Sequence, residues 1–280
     1  MSTAYDALTH IRVAADHGVA WAVIDHPPMN LWDRDLTSDI VGLIGAFGGD
    51  ADTRVLVLTS ANPDFFIAHA DIGMILNMDA SVQGRDGEPA PINLLLGQLH
   101  ASSKVSIALV EGIARGGGSE IALSCDLRFA THNARFGQPE VALGIIPGAG
   151  GTQRLTRLVG RARALEIVLG CADVSAEEAA AIGYVNSLLE AHDAERFVRT
   201  LAMRIAAMPP LAVAEAKRAV DAAFGDPLDG FAVEAAAFRT ALAAPVARAR
   251  MERFLDLGGQ KPDVEKGEIE PLLDQLARDA

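Results

Sequence analysis

The chain has 280 residues, with 24 Lys+Arg against 37 Asp+Glu and a formal charge of −13 at pH 7. That length can bury one large core, and 50% hydrophobic with 22% charged residues excludes a disordered or fibrous chain. The acid excess argues against binding nucleic acid through a basic face, and any anionic ligand must be met by local donors.

Residues Met1 to His10 lack a charged segment followed by an apolar run, so no signal peptide is expected. No stretch reaches the roughly 18 apolar residues of a membrane span, and a soluble, cytoplasmic protein with no membrane partner is expected. Ile11–Ala15 and Val19–Asp25 flank Asp16-His17-Gly18, which reads as a hairpin turn. In Asp33–Phe47, Leu36, Ile40, Leu43, Ile44 and Phe47 recur at helical spacing before Gly48-Gly49, the expected stop. Val55–Thr59 is a β-branched run suited to a buried strand. Asn77 to Pro91 is rich in Gly, Asp and Pro and reads as a mobile loop that covers the site when ligand binds. Ile92, Leu95, Leu96 and Leu99 resume helical spacing, and Val105–Val110 is a second strand that runs into a glycine cluster and a helix at Ile121–Cys125.

From about Arg161 the pattern is nearly all helical. Ser175-Ala-Glu-Glu178 is a capping box for a helix closed by Gly183. Helices are expected over Asp193–Met208, Leu211–Phe224, Leu228–Ala243 and Val246–Leu257, followed by a charged tail. The expected organisation is an α/β core over 1–195, a helical region over 196–260 and a tail of uncertain order over 261–280. Cys125 and Cys171 sit among apolar residues and read as buried thiols of a reducing compartment.

Three segments carry the chemistry: Asn62 to Ile72, Glu111-Gly-Ile-Ala-Arg-Gly-Gly-Gly-Ser-Glu120, and Phe136-Gly-Gln-Pro-Glu140 continuing to Gln153. Glycines at a strand-to-helix turn bring the backbone close to a ligand and leave amides at a helix N-terminus, suited to a phosphate or a developing oxyanion; a plain packing turn is the alternative. A phosphate loop aligned on Gly112 would need Lys where Gly118 stands, and a dinucleotide fingerprint begun at Gly148 meets Gln153 in place of its last glycine. Glu120 and Glu140 are the carboxylates to weigh, although a helix-end charge accounts for either one taken alone. The seven histidines show no metal-ligand spacing, so no metal is expected. No Gly-x-Ser-x-Gly elbow is present. Arg154, Arg157 and Arg161 share a helix face, read as solvated.

Taken together, Phe-x-Ala-x-Ala-Asp-Ile, Gly-Gly-Gly-x-Glu-x-Ala-x-x-Cys-Asp, and Phe-Gly-Gln-Pro-Glu followed by Gly-x-x-Pro-Gly-x-Gly-Gly-Thr-Gln-Arg-Leu resemble the enoyl-CoA hydratase/isomerase (crotonase) family. The resemblance covers about residues 10 to 225, with His26-Pro-Pro-Met-Asn30 matching the family's early Pro-x-x-Asn element. It implies an α/β fold, a spiral of repeated ββα units with a C-terminal helical region that mediates trimers or dimers of trimers. It also implies an acyl-CoA ligand, coenzyme A being part of the substrate rather than a separate cofactor.

By position, the amides of Ala70 and Gly117 would form an oxyanion hole, and Glu120 and Glu140 match the two catalytic glutamates of the hydratases. Met29, Leu31, Ala68, Asp71, Ile72, Pro139 and Leu143, with Ala70 and Gly117, would contact the substrate. The implied activity is hydration of a 2-enoyl-CoA. The alternatives are a 3-enoyl-CoA to 2-enoyl-CoA isomerase working through Glu140 alone, or a non-catalytic relative that binds RNA or acts as a scaffold.

Four positions depart from the pattern. His69 stands where glycine is common, and is read as a spectator ring rather than one that narrows the thioester site or donates to substrate. Arg115 replaces a small or apolar residue, and Val105 replaces the proline after Lys104. The C-terminal Phe-x-x-Lys-Arg-x-Pro element is reduced to Phe254-Leu-Asp-Leu-Gly-Gly-Gln-Lys-Pro262, which leaves the coenzyme A nucleotide contacts unassigned.

Overall fold

Runs such as Val55-Leu-Val-Leu58 are apolar at every position, the pattern of a parallel strand covered on both faces. In the computed structural model, which describes residues 5–79, 87–221, 235–236, 238–239, 242–267, 269, 271–272 and 275–276, these runs build two sheets. The larger contains β1 (Ile11–Asp16), β2 (Val19–Ile24), β3 (Val55–Ser60), β5 (Val105–Val110), β7 (Leu127–Thr131) and β10 (Ser187–Leu189), hydrogen-bonded in that order. Only β1 and β2 pair antiparallel, joined by His17 and Gly18, both at positive φ; the other neighbours are parallel.

The smaller sheet orders β4 (Phe65–Ile67), β6 (Ile113–Arg115), β8 (Arg135–Gly137) and β9 (Val174–Ser175). The units that begin at β3, β5 and β7 each send one strand to the large sheet, a three-residue strand to the small one, and then a helix, whereas β1 and β2 both join the large sheet before α1. This is the ββα spiral expected from the resemblance.

The helices are α1 (Arg34–Gly49), α2 (Ile72–Leu76), α3 (Pro91–Ala101), α4 (Gly117–Ser124), α5 (Gly151–Gly170, interrupted at Gly160), α6 (Ala176–Ala181), α7 (Ala191–Ala206), α8 (Pro210–Asp221), α9 (Pro245–Asp256) and α10 (Pro262–Glu265). Alternate strand residues divide the core. Ala20, Leu56, Leu58 and Ala108 face a cluster that includes residues of α1, α3 and α4. Val19, Val55, Val57 and Ile107 face Ala194, Val198, Ala202 and Ala206, the apolar stripe of α7. Helix α7 is thus a wall of the core that crosses position 195.

Several boundaries differ from the sequence reading. Helix α1 continues through Gly48-Gly49 to a C-cap at Asp50, because its neighbours Ile44 and Phe47 anchor that turn in the core. Helix α4 begins at Gly117 rather than Ile121. The stretch after Arg161 contains β9 and β10, which run too briefly to show a period of two. Ser175 caps α6 by accepting the Glu178 amide at 3.2 Å. The expected helix over Leu228–Ala243 and the centre of the expected loop at Asn77–Pro91 fall largely outside the described residues. Among the described residues, no single helix is long and apolar enough to cross a membrane.

Candidate active site

The segment after β4 is pinned to Trp32 by a parallel bridge: Trp32 N donates to His69 O and Asp71 N to Trp32 O, each at 3.0 Å. In such a bridge the flanking residues bond the partner, so the N–H of the middle residue, Ala70, is directed to the opposite side. Gly117 is the first residue of α4, where the amide has no acceptor within the helix. Side chains of the two loops confirm their closeness, since a methyl added at Gly117 would sit 3.3 Å from Ala70 Cβ and 2.5 Å from Trp32 Cε3.

The glycine cluster is a packing requirement as well. Gly116 has φ 47° and ψ −122°, a conformation that disfavours any side chain, and a Cβ there would lie 2.6 Å from Glu140 Oε1. A Cβ on Gly118 would overlap Ile67 O, so α4 can press directly on β4 only without one.

Glu120 lies in the first turn of α4 and is 3% exposed. Its Oε1 accepts the amides of Ala149 and Gly151, both at 2.8 Å. Gly151 is the first residue of α5, so Glu120 stands at the N-terminal ends of two helices, where an anionic side chain is stabilised. Glu140 belongs to a 3-10 turn, Pro139–Leu143, that follows β8. The entry to that turn is fixed by Gln138, whose Nε2 donates to Ser119 Oγ at 3.1 Å; Ser119 also bonds the buried Tyr184 hydroxyl.

Ala70, Gly117, Glu120 and Glu140 line one cavity of about 430 Å³. Its remaining wall is almost wholly apolar, with Trp32, Met74, Ile75, Ile92, Ile145 and Phe238 prominent, and the two glutamates are the only titratable groups among its described lining residues. Met78 and Pro91, near the two ends of the expected Asn77–Pro91 loop, also reach it. The arrangement offers paired carboxylates facing an apolar chamber with two backbone donors on its rim. Among the described residues, no group of three or more His, Cys, Asp or Glu is placed to hold a metal ion.

A profile of the enoyl-CoA hydratase/isomerase family matches residues 14–257. The chain belongs to this family. Similar members include a short-chain-enoyl-CoA hydratase of Clostridium acetobutylicum, 35% identical over 251 residues, covering 89% of this chain and 95% of that one. A crotonyl-CoA hydratase of Syntrophomonas wolfei is 35% identical over 257 residues, covering 89% and 96%. A crystal structure assigned as an enoyl-CoA hydratase from Streptomyces avermitilis superposes with a TM-score of 0.89 at 33% identity, covering 97% of this chain and 100% of that one.

Within this family member, the other residues expected to contact substrate lie elsewhere than the cavity wall. Met29 and Ala68 are fully buried with Phe65 and Ile113 in a small cluster, with Leu31 packed against it. Asp71 caps α2, accepting the Met74 amide at 2.5 Å. Ile72 and Leu143 join Met251 and Phe254 in a second cluster, and buried Pro139 opens the turn that carries Glu140. Of the three arginines read as a solvated face, Arg161 is exposed, whereas Arg154 and Arg157 are half-buried, and Arg154 Nη1 donates to Ala149 O at 2.8 Å beside Glu120.

The His69 ring is held by hydrogen bonds as well as by packing. Its Nε2 lies 2.8 Å from Glu265 Oε1, its Nδ1 2.9 Å from Ala70 O, and Phe254 meets its ring in a T-shaped contact. Arg115 is 1% exposed and forms a bidentate pair with Asp173, at 2.7 and 2.5 Å, while Nη1 reaches Glu265 Oε2 at 3.3 Å. Val105 starts β5 with its amide donated to Arg54 O. The shortened C-terminal element braces the Ala70 loop, with Gln260 Nε2 donating to Asp71 Oδ2 at 3.3 Å. Sequence reasoning missed Glu265, Asp173 and the apolar walls. Only the two departures at 69 and 115 signalled that a polar partner was needed nearby.

Proposed function

We propose that the protein hydrates 2-enoyl-CoA thioesters, with Glu120 and Glu140 acting on one water and the amides of Ala70 and Gly117 receiving the thioester oxygen. The water oxygen bonds to C3 of the substrate, the C2–C3 π electrons move toward the carbonyl oxygen, and a proton is delivered to C2 as that charge returns. Two backbone donors answer the transient charge; loss of one such donor typically costs about 3–4 kcal/mol. Glu120, whose Oε1 accepts two amides, suits the base that takes the water proton. Glu140, held across Gly116, suits the acid that supplies C2.

The observation that supports hydration over isomerisation is the presence of both carboxylates in one apolar cavity, because a single base suffices to move a proton between C4 and C2. The names of the hydratases from C. acetobutylicum and S. wolfei point the same way. Incubation with crotonyl-CoA, read as loss of the conjugated thioester and appearance of 3-hydroxybutyryl-CoA, tests the reading. Turnover of 3-enoyl-CoA without hydration would favour the isomerase.

A further inference from the structure

The two departures from the family pattern inside the catalytic loops, His69 and Arg115, meet at a single carboxylate from the C-terminal segment. Ala70 O is a carbonyl oxygen and only accepts, so the 2.9 Å contact requires a proton on His69 Nδ1. On the opposite side, Glu265 Oε1 accepts the Gln260 amide at 2.8 Å, and Oε2 faces the Arg115 guanidinium at 3.3 Å. A carboxyl group placed among such donors is ionised, so the 2.8 Å contact requires a proton on Nε2 as well. Glu265 and His69 are 2% and 6% exposed, which removes water as a competing partner.

We propose that Glu265 is a positioning residue that holds His69 as an imidazolium ion beside Ala70, so that a buried positive charge adjoins the amide receiving the thioester oxygen. For the reaction it assists, this rests on the hydratase reading above. The charge on the ring does not depend on that reading.

The surroundings favour the charged ring. Burial works against it, but the charge and hydrogen bond of Glu265 and the Ala70 carbonyl outweigh that cost and raise the His69 pKa above its usual 6.5. Burial likewise opposes ionisation of Glu265, yet His69, the Gln260 amide and Arg115 bring its pKa down to about 2. Arg115 would repel the imidazolium, but Asp173 neutralises it through two bonds, with Arg135 4.0 Å beyond. Glu140 lies across Gly116 from the His69 Cβ, Asp71 bonds Gln260, and Phe254 makes a T-shaped contact with the ring.

The added charge acts on the transition state, where the thioester oxygen is negative, more than on the neutral ground state. Loss of Glu265 should therefore lower kcat and leave KM nearly unchanged.

The test is the ring-nitrogen NMR spectrum of His69 in the wild-type chain, assigned by comparison with His69→Gln, alongside crotonyl-CoA kinetics across pH. Near neutral pH both ring nitrogens should be protonated. In Glu265→Gln the ring should be neutral there, kcat should fall by about 10-fold, and its alkaline limb should move to lower pH. Glu265→Asp should restore the charge and most of the rate. A neutral His69 ring in the wild type overturns the proposal, whether or not Glu265→Gln folds. So does a Glu265→Gln enzyme with an unshifted limb and unchanged kcat. A wild-type chain that leaves crotonyl-CoA unhydrated would contradict the hydratase reading instead, and the nitrogen spectrum would still decide the charge.

Discussion

One oxygen of Glu120 accepts the amide of Gly151 at 2.8 Å, which ties the carboxylate to the first turn of α5. A Cβ on Gly151 would lie 2.9 Å from that oxygen and 2.9 Å from the Pro147 ring. Gly151→Ala should thus displace the carboxylate while leaving the helical backbone intact. A misplacement of about 1 Å can cost about 10²-fold, so kcat for hydration is expected to fall on that order with KM retained. A Gly151→Ala enzyme with wild-type kcat would show that this anchoring has no part in catalysis.

The Glu265–His69 pair should make stability depend on pH in a definite window. Glu265 has a folded pKa of about 2 against the ordinary 4.5 of a solvated glutamate, so its contribution is present above 4.5 and lost as pH falls. His69 is raised above 6.5, so its contribution is complete below 6.5 and lost as pH rises through the raised value. The difference in unfolding free energy between wild type and Glu265→Gln should be greatest between pH 4.5 and 6.5. There it should reach about 3 kcal/mol, the low end for breaking a buried pair, and narrow on both sides. Denaturant unfolding across pH measures it, and a difference independent of pH would contradict the pairing.

The elements differed in how plainly their residues announced them. Val55–Ser60 and Val105–Val110 were legible because both faces of a parallel strand are apolar, and α1 because Leu36, Ile40 and Leu43 keep its period. The three-residue strands Phe65–Ile67, Ile113–Arg115 and Arg135–Gly137 were not, since so short a run has no period and their pairing comes from the spiral. Glu120 and Glu140 were legible through their neighbouring glycines and proline. Glu265 was not: it sits 196 positions from His69 in a charged segment, and no local pattern joins them. Ile92 and Leu95 gave only a helical spacing, because an apolar cavity wall repeats as a packed helix face does.

The exposed Leu211 and Val220 on α8, 74% and 65% accessible, support the expected self-association through the C-terminal helices. Light scattering at micromolar concentration should give a trimer or a dimer of trimers, and Leu211→Glu with Val220→Asp should shift the mass downward. A monomeric wild type would contradict that assembly.

The two-carboxylate mechanism is tested most directly by the hydration kinetics of Glu120→Gln, Glu140→Gln and the double variant. Each substitution keeps shape while removing the ionisable group. Each should lower kcat by at least about 10²-fold, the low end for general acid–base catalysis, while acyl-CoA binding persists. If both residues act on one water, as proposed, the double loss should fall well short of the product of the single losses. Wild-type hydration rates in Glu120→Gln, or single losses that simply multiply, would contradict the account.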